Sequence, residues 1–470
     1  MTKQEETQNS MRTTVSYTTK IHGIVPDTND AISRTIHEYQ TQVAYLTRIV
    51  NDNYETIQSL PTNHEKKTAI ERLVHSTKNN TATYDYDQQH PHTPSYLRRA
   101  AITDAIANVT SYKEQHNAWE QTHKGREPHL RVYQHKTPTF YNTGMYQAPT
   151  EGDTHAKIKL YDGNNQWGWH DITLNKRDQT ALNDKIAHDG RVLQAPVIQK
   201  GKKGYVLRFA IERTDTLTTT QEIERRICAV DLGINTPATC VIMDPDGTVL
   251  SRKFIHLRSE KARVRRTRNR IRKRQAQGAR DLKKSWGVAD NANRALSIAT
   301  AREIVDFAVL WSCETVVFEY LDFSGSRKRK HRTCPSVGLW CARDVQERVE
   351  RSCHELGLRV SRVCAANTSR LAFDGSGRVE RGREIGPDVG FGVVRFASGK
   401  LYNADLNAAL NIGARFFARA LVKSCSVTGR SVLRAKVPAL WHRSTLVLSD
   451  LLVALEVLAV HSGNTQGATV

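Results

Sequence analysis

Three apolar segments, far apart in this chain, each carry one carboxylate: ICAVDLGI holds Asp231, TVVFEYL holds Glu319, and NADLNAALNIGARFFARAL opens on Asp405. An acid set in an otherwise buried strand is costly unless something compensates it, and a divalent cation bound by oxygen ligands is the usual compensation. Three such acids could converge on one site. Two Mg²⁺ or Mn²⁺ ions held about 3.5–4 Å apart by carboxylates would activate a water and stabilise the leaving oxygen of a phosphodiester, chemistry that calls for acids more than for His or Ser. Each acid taken alone has a plainer use. A strand-end Glu is more often salt-bridged or solvated, and Asp405 suits a helix N-terminus. Asp244 and Asp246 belong to Asp-Pro-Asp-Gly, which is turn chemistry, while Glu314 and Asp322 are weaker substitutes for Glu319.

The texture of the chain changes along its length. Residues 1–10 are polar and expected to be disordered. Over 28–54, Ile32, Ile36, Tyr39, Val43, Leu46 and Val50 recur at steps of four and three, which predicts a helix with Asp27 or Thr28 as its N-cap. Further helices are expected over 67–76 and over 95–119, where Leu97, Ala101, Ala105, Val109 and Tyr112 share a face. Between 128 and 222 the period falls to two, predicting antiparallel strands around the turn Lys200–Gly204, and a strand at 13–24 could pair with them. From Ile227, three strand-like runs, a helix at roughly 292–312, the buried strand TVVFE and a late helix predict a mixed α/β sheet. The run TLVLSDLLVALEVLAV at 445–460 reads as a docked or self-associating helix.

Lys and Arg outnumber Asp and Glu by 69 to 48 in 470 residues, a net charge of +21 that favours a polyanionic partner. From Arg258 to Lys284 only Glu260 and Asp281 oppose the cations. As a helix this stretch would be basic on every face, with phosphates supplying the counter-charge through Arg263, Arg265, Arg266, Arg270 and Arg274; a solvated arm is the alternative. A second run, Arg327, Lys328, Arg329 and Lys330, could grip the strand to be cut. Trp167 and Trp169 could stack on bases, although core packing is the commoner use. No apolar run reaches the ~18 residues of a membrane span, and the first residues lack an apolar signal core, so a soluble, cytoplasmic and nucleoid-associated protein with no membrane partner is expected. The eight cysteines show no disulfide-like spacing.

AVDLGINTPAT, VVFEYLD and NADLNAALNIGAR, in this order and spacing, resemble the three RuvC motifs of the TnpB proteins and of the type V CRISPR effectors related to them. The resemblance is strongest over 225–415. Upstream, GREPHLRVYQHKTPTFY resembles the stretch that follows the family's helices. It implies an RNase H-like (RuvC) α/β nuclease core over 225–362 and 403–420. It also implies an N-terminal β-barrel, wedge-like domain over 11–26 and 128–222, with a helical recognition domain inserted at 27–127. Asp231, Glu319 and Asp405 become the catalytic metal ligands, for two Mg²⁺ or Mn²⁺ ions, and the partners become a guide RNA, of transposon or CRISPR origin, and a double-stranded DNA target.

Family members usually carry a four-cysteine zinc ribbon between the second and third motifs. Here the corresponding positions hold Ala372, Gly375, Arg395 and Ser398, so 363–402 reads as a degenerate ribbon for which no zinc is expected. Cys334, Cys341, Cys353 and Cys364 are spaced too widely to replace it, and residues 421–470 have no counterpart. The expected function is RNA-guided, metal-dependent DNA cleavage. The alternatives are an RNA-guided DNA-binding repressor with little or no cleavage, or a type V CRISPR effector; a DNA-joining transposase lacks a nucleophile set.

Overall fold

A computed structural model describes residues 10–466 apart from 23, 124, 134, 151, 188–190, 202–203 and 322–335. Two compact units emerge among the described residues, one within 12–214 and the other within 215–470. No helix among the described residues is long and apolar enough to cross a membrane.

In the first unit the 28–54 periodicity is realised as the helix Pro26–Asp52, with Ile32, Tyr39, Val43, Leu46 and Val50 all buried. The expected cap is corrected: Pro26 occupies the first helical turn, where its fixed φ suits the helix, so the chain enters one residue before Asp27 and Val25 becomes the uncapped boundary residue. The expected 67–76 helix starts earlier, at Asn63–Val74, because Thr62 and Glu65 form a reciprocal capping box. The third helix is Ser95–Thr122.

Seven strands accompany them: β1 (Ser10–His22), β2 (Tyr146–Gln147), β3 (His155–Gly163), β4 (Gln166–Leu174), β5 (Arg191–Leu193), β6 (Val197–Gly201) and β7 (Gly204–Thr216). They form one sheet in the order β2-β3-β4-β1-β7-β5, with β6 also on β7, so the N-terminal strand does pair with the later ones. Helices and strands share a single core, in which Ile32, Tyr39 and Leu97 meet Ile158, Leu160 and Phe209. One helix within the region of period two, Lys176–Ile186, escapes the sequence reading; Asn175 caps it by accepting from the Asp178 N–H at 3.0 Å. Trp167 packs against the core, whereas Trp169 is exposed beneath the Lys159 ammonium.

The second unit is built on a five-stranded sheet, β8 (Ile227–Asp231), β9 (Ala238–Met243), β10 (Val249–Ile255), β11 (Thr315–Tyr320) and β12 (Arg359–Cys364), in the order β10-β9-β8-β11-β12. The first three strands run antiparallel, while β11 lies parallel to both β8 and β12. Alternation sorts each strand between two cores. Ile227, Ala229, Val241, Met243 and Val317 face the helix Ala404–Ser424; Cys228, Val230, Cys240, Ile242, Val316 and Phe318 face the opposite layer, which includes the helix Lys283–Leu310 and the described part of Ser336–Glu355. The apolar C-terminal run forms the helix Leu448–Gln466, docked through Leu448, Leu451 and Ala454 onto the core of the 404–424 helix.

Residues 365–403 carry a small three-stranded sheet, β13 (Glu380–Arg381), β14 (Val393–Arg395) and β15 (Leu401–Asn403). Ala372, Val379, Val394 and Phe396 make its own core, and the rings of Phe373, Phe396 and Tyr402 meet pairwise at 5.1–5.6 Å. Arg395 is tied to Glu380, and Ser398 is exposed. Phe396 is only 2% exposed. Phe396→Ala should cost about 3–5 kcal/mol locally, read as fast hydrogen exchange confined to 365–403. Unchanged protection there would show that the ring cluster is not what holds this subdomain.

Candidate active site

The same alternation that builds the core aims two of the three acids. Asp231 keeps the parity of Ile227 and Ala229, and Glu319 that of Val317, so both side chains leave the sheet toward the 404–424 helix. The parallel register pairs Phe318 with Val230, which places Glu319 next to Asp231 at the C-terminal ends of adjacent strands. Asp405 arrives from the opposite side, in the first turn of the 404–424 helix, whose N-terminus is capped by Asn403 accepting from the Leu406 N–H at 2.9 Å. After β8 the chain turns through Gly233, where an added Cβ would lie 2.8 Å from the Thr236 carbonyl and 3.8 Å from an Asp405 carboxylate oxygen. Any side chain at 233 would crowd that carbonyl.

The electrostatics are those of crowded acids. Removal from water, then Glu319 and Asp405, hold the Asp231 carboxyl well above the ordinary carboxylate range, with Arg381 opposing the shift. Burial also raises Glu319, against a hydrogen bond from Thr368 and the positive charge of Arg415. Asp405 is raised by burial as well, opposed by a hydrogen bond from Thr236 and by Arg381. None of the three residues is wholly enclosed, although burial is the first cause of the shift at each carboxyl.

Several of these supporting groups are missing from the sequence reading. Asn407, Asn411 and Arg415 fall at i, i+4 and i+8 on the buried face of the 404–424 helix, a spacing that could have flagged a polar stripe. Their donors go to backbone carbonyls: the two amides to Thr368 and Leu371, the guanidinium to Cys364, Ala366, Ser444 and Leu446. They thereby fix the loop from which Thr368 donates to Glu319. Gln346 holds the Glu319 backbone carbonyl at 3.0 Å. Arg381 donates to Ser369 Oγ at 3.1 Å and to the Phe391 carbonyl at 2.9 Å, while its buried Nε has no partner.

The chemistry of the donor set suits a hard divalent cation: three carboxylates and, directly across from Asp231 on β9, the buried Thr239 hydroxyl, which has no hydrogen-bond partner. Among the described residues, no three His, Cys, Asp or Glu side chains stand close enough to form a ready-made metal set. The alternative acids have other employment. Glu314, at the far end of β11, accepts from Thr218 and Thr220; Asp244 pairs with Arg226 at 2.7 Å; Asp246 accepts from the Thr248 N–H of its turn. Asp322 lies outside the described residues, as do Cys334 and the predicted grip Arg327, Lys328, Arg329 and Lys330.

The basic tract is the helix Arg258–Ala276, and here the sequence reading needs correction. It is not uniformly solvated: Lys261, Val264, Thr267 and Ile271 form a narrow seam, and Ile271 is buried against Leu282 and Ala289. A single row at helical spacing is enough to anchor it on its neighbour. Arg263, Arg265, Arg266, Arg270 and Arg274 all lie on the exposed remainder.

Comparison with known proteins agrees with this picture at two levels. Residues 14–162 match a sequence family described as the Aq_aa04 family. A curated relative, TnpB-like protein aq_aa05 of Aquifex aeolicus (strain VF5), is 31% identical over 150 residues, covering 30% of this chain and 48% of the relative. The chain thus spans about half the length of that relative. Among solved structures, the chain of a Cas12f1-sgRNA-target DNA complex is similar in fold, with a TM-score of 0.51 at 12% identity, over 86% of this chain and 98% of that one. The chain is thus similar to a TnpB-like protein over part of its length, and similar in fold to the protein chain of a Cas12f1 complex over most of it.

The crowded acids predict a signature in stability. A carboxyl whose folded pKa is raised destabilises the fold as pH climbs from its ordinary value, near 3.8, toward the raised one. Asp231→Asn should therefore raise the melting temperature at pH 7 in chelator, by roughly 2–4 °C for each kcal/mol of repulsion relieved, and the gain should vanish below about pH 4. A lower melting temperature at pH 7 would mean that Asp231 is held by favourable partners instead of crowded by other acids.

Proposed function

We propose that this chain is an RNA-guided DNA endonuclease whose carboxylates Asp231, Glu319 and Asp405 hold divalent metal ions. One observation carries the reading: three acids from distant parts of the sequence meet on one face of a RuvC-like sheet, each pushed toward its neutral form by burial and, at Asp231, also by its neighbours. Such a cluster gains stability from a cation. Mg²⁺ or Mn²⁺ ions bound there would neutralise charge on a phosphodiester and lower the pKa of a water. The protein's own part is positional. Thr368 fixes the Glu319 carboxylate, Thr236 fixes Asp405, and Arg381 adds a positive charge beside Asp231 and Asp405 that a scissile phosphate would also feel.

The exposed arginines of the 258–276 helix supply a backbone-reading surface for a guide RNA and for target DNA, while base pairing between the two reads sequence. The N-terminal unit, with its seven-stranded sheet and inserted helices, takes the part of the wedge-like barrel and recognition domain. In the 365–403 subdomain the ring cluster of Phe373, Phe396 and Tyr402 takes the structural place of a zinc ion, and stoichiometric zinc on elemental analysis would refute that exchange. A binding protein with little cleavage is the second reading, favoured by the absence of a ready-made metal set among the described residues.

Protein purified from its own host should carry one defined RNA, recovered by sequencing; random fragments would sink the guided reading. Replacing Arg265, Arg266, Arg270 and Arg274 with Ala should flatten the salt dependence of duplex binding by up to about three to four units of log–log slope, at roughly 0.9 per phosphate contact. An unchanged slope and affinity would make this helix a solvated arm.

A further inference from the structure

An open cleft of about 830 Å³ lies in the N-terminal unit, between the helix Ser95–Thr122 and the segment that follows it. One side is the helix face carrying Asn108, Ser111, Tyr112 and Gln115, at steps of three and four: amide, hydroxyl, phenol and amide. The other side contributes Arg126, Arg131 and Tyr133. Tyr133 is 63% exposed, unusual for so large a ring. Its volume falls within the range of small-ligand pockets, and its lining is far more polar than theirs.

Asn108 supplies the independent observation. It is 93% buried, at 7% exposure, and its amide Nδ2 has no hydrogen-bond partner. A buried donor left without an acceptor costs about 1–3 kcal/mol, so its persistence at the floor of a cleft points to an acceptor brought from outside. Two arginines, two phenol rings and an amide are a set that matches one nucleotide: phosphate to the guanidinium groups, base face to a ring, base edge to the amide. Glu127 also lines the cleft, but faces His116 at 3.5 Å.

We propose that this cleft takes a single unpaired nucleotide, with Asn108 bonding its base edge, Tyr133 or Tyr112 stacking on its face, and Arg126 and Arg131 holding its phosphates. The proposal rests on the nucleic-acid reading above but assigns a site that neither the carboxylates nor the basic helix accounts for. Stacked inside the cleft, a base of either RNA or DNA meets the same groups. A duplex, whose bases are already stacked and paired, does not offer a free face to the rings.

The test uses the full chain bearing Ala at Arg265, Arg266, Arg270 and Arg274, so that the basic helix does not mask the cleft. The probes are unstructured single strands of RNA and of DNA carrying photoreactive thiouracil bases, and the corresponding duplexes. Single strands should crosslink at Tyr112 or Tyr133 and duplexes should not; whichever single strand crosslinks identifies the source. Tyr133→Ala, at an exposed position, should weaken single-strand binding by about five- to a hundredfold. Asn108→Leu should weaken it about two- to tenfold while leaving the nucleic-acid-free melting temperature unchanged or higher, because it removes a donor that has no partner. Absence of crosslinks at 107–136, or full affinity in both variants, overturns the proposal. So does an Asn108→Leu protein that melts earlier yet binds normally, since the amide would then be structural. If the cleft is silent while the unmodified protein still carries a defined RNA, this inference fails alone. If the protein holds no nucleic acid anywhere, the functional reading fails with it.

Discussion

The second unit depends on how closely the helix Ala404–Ser424 lies against its sheet. The contact is made by Gly413, where an added Cβ would approach Met243 Sδ to 3.0 Å and the Ala229 methyl to 3.4 Å. A larger residue there would have to displace the end of the Met243 side chain and would fill the space against the Ala229 methyl of β8. The consequence reaches beyond packing. The same helix carries Asp405 at its first turn and, on its buried face, the Asn407, Asn411 and Arg415 stripe that ties down the 364–371 backbone. From that backbone Thr368 reaches Glu319. One helix-to-sheet distance therefore sets two of the three carboxylates, and the third is fixed by the strand it packs on.

That arrangement keeps acids together where they would otherwise separate. Burial disfavours the ionised form of all three, and Asp231 also feels both neighbours, so the folded chain stores an electrostatic cost at this spot. The compensation supplied by the chain itself is partial: Arg381 beside Asp231 and Asp405, the charge of Arg415 acting on Glu319, and one hydroxyl each for Glu319 and Asp405. Under the proposed function, a doubly charged ion would complete that partial compensation, whereas a structural ion pair is already complete. Glu314 and Asp244 illustrate the contrast, each tied to specific protein partners at the other end of the strands.

Much of this was legible in the sequence because it depends on periodicity. The short apolar runs through Ile227–Asp231 and Thr315–Glu319 located two strands, and the four-three spacing from Ile32 to Val50 located a helix to within two residues at its ends; that the two acids share a face emerged only from the pairing of the strands. What escaped depends on partners distant in sequence. β12 reads RVSRVC, too polar to stand out as a buried strand until β11 covers it in parallel. Lys176–Ile186 is a helix fixed by one Asn cap inside a region of strand periodicity. Arg381 is one arginine among many in sequence and becomes special only through its place near Asp231. The basic tract looked uniform because the seam formed by Val264, Thr267 and Ile271 is one residue wide.

The claim on which the account turns is that Asp231, Glu319 and Asp405 act as one metal-binding unit that cuts DNA. Its most direct test is cleavage of a guide-matched DNA duplex by the RNA-loaded protein, with and without Mg²⁺ or Mn²⁺, beside target binding measured on the same samples. Cutting should require the metal and should be lost in Asp231→Ala, Glu319→Ala and Asp405→Ala alike, while binding stays nearly intact because it is spread over many phosphates and base pairs. Cutting at the wild-type rate by any one of these variants would contradict the account, and so would a wild-type protein that binds its target and never cuts with either metal.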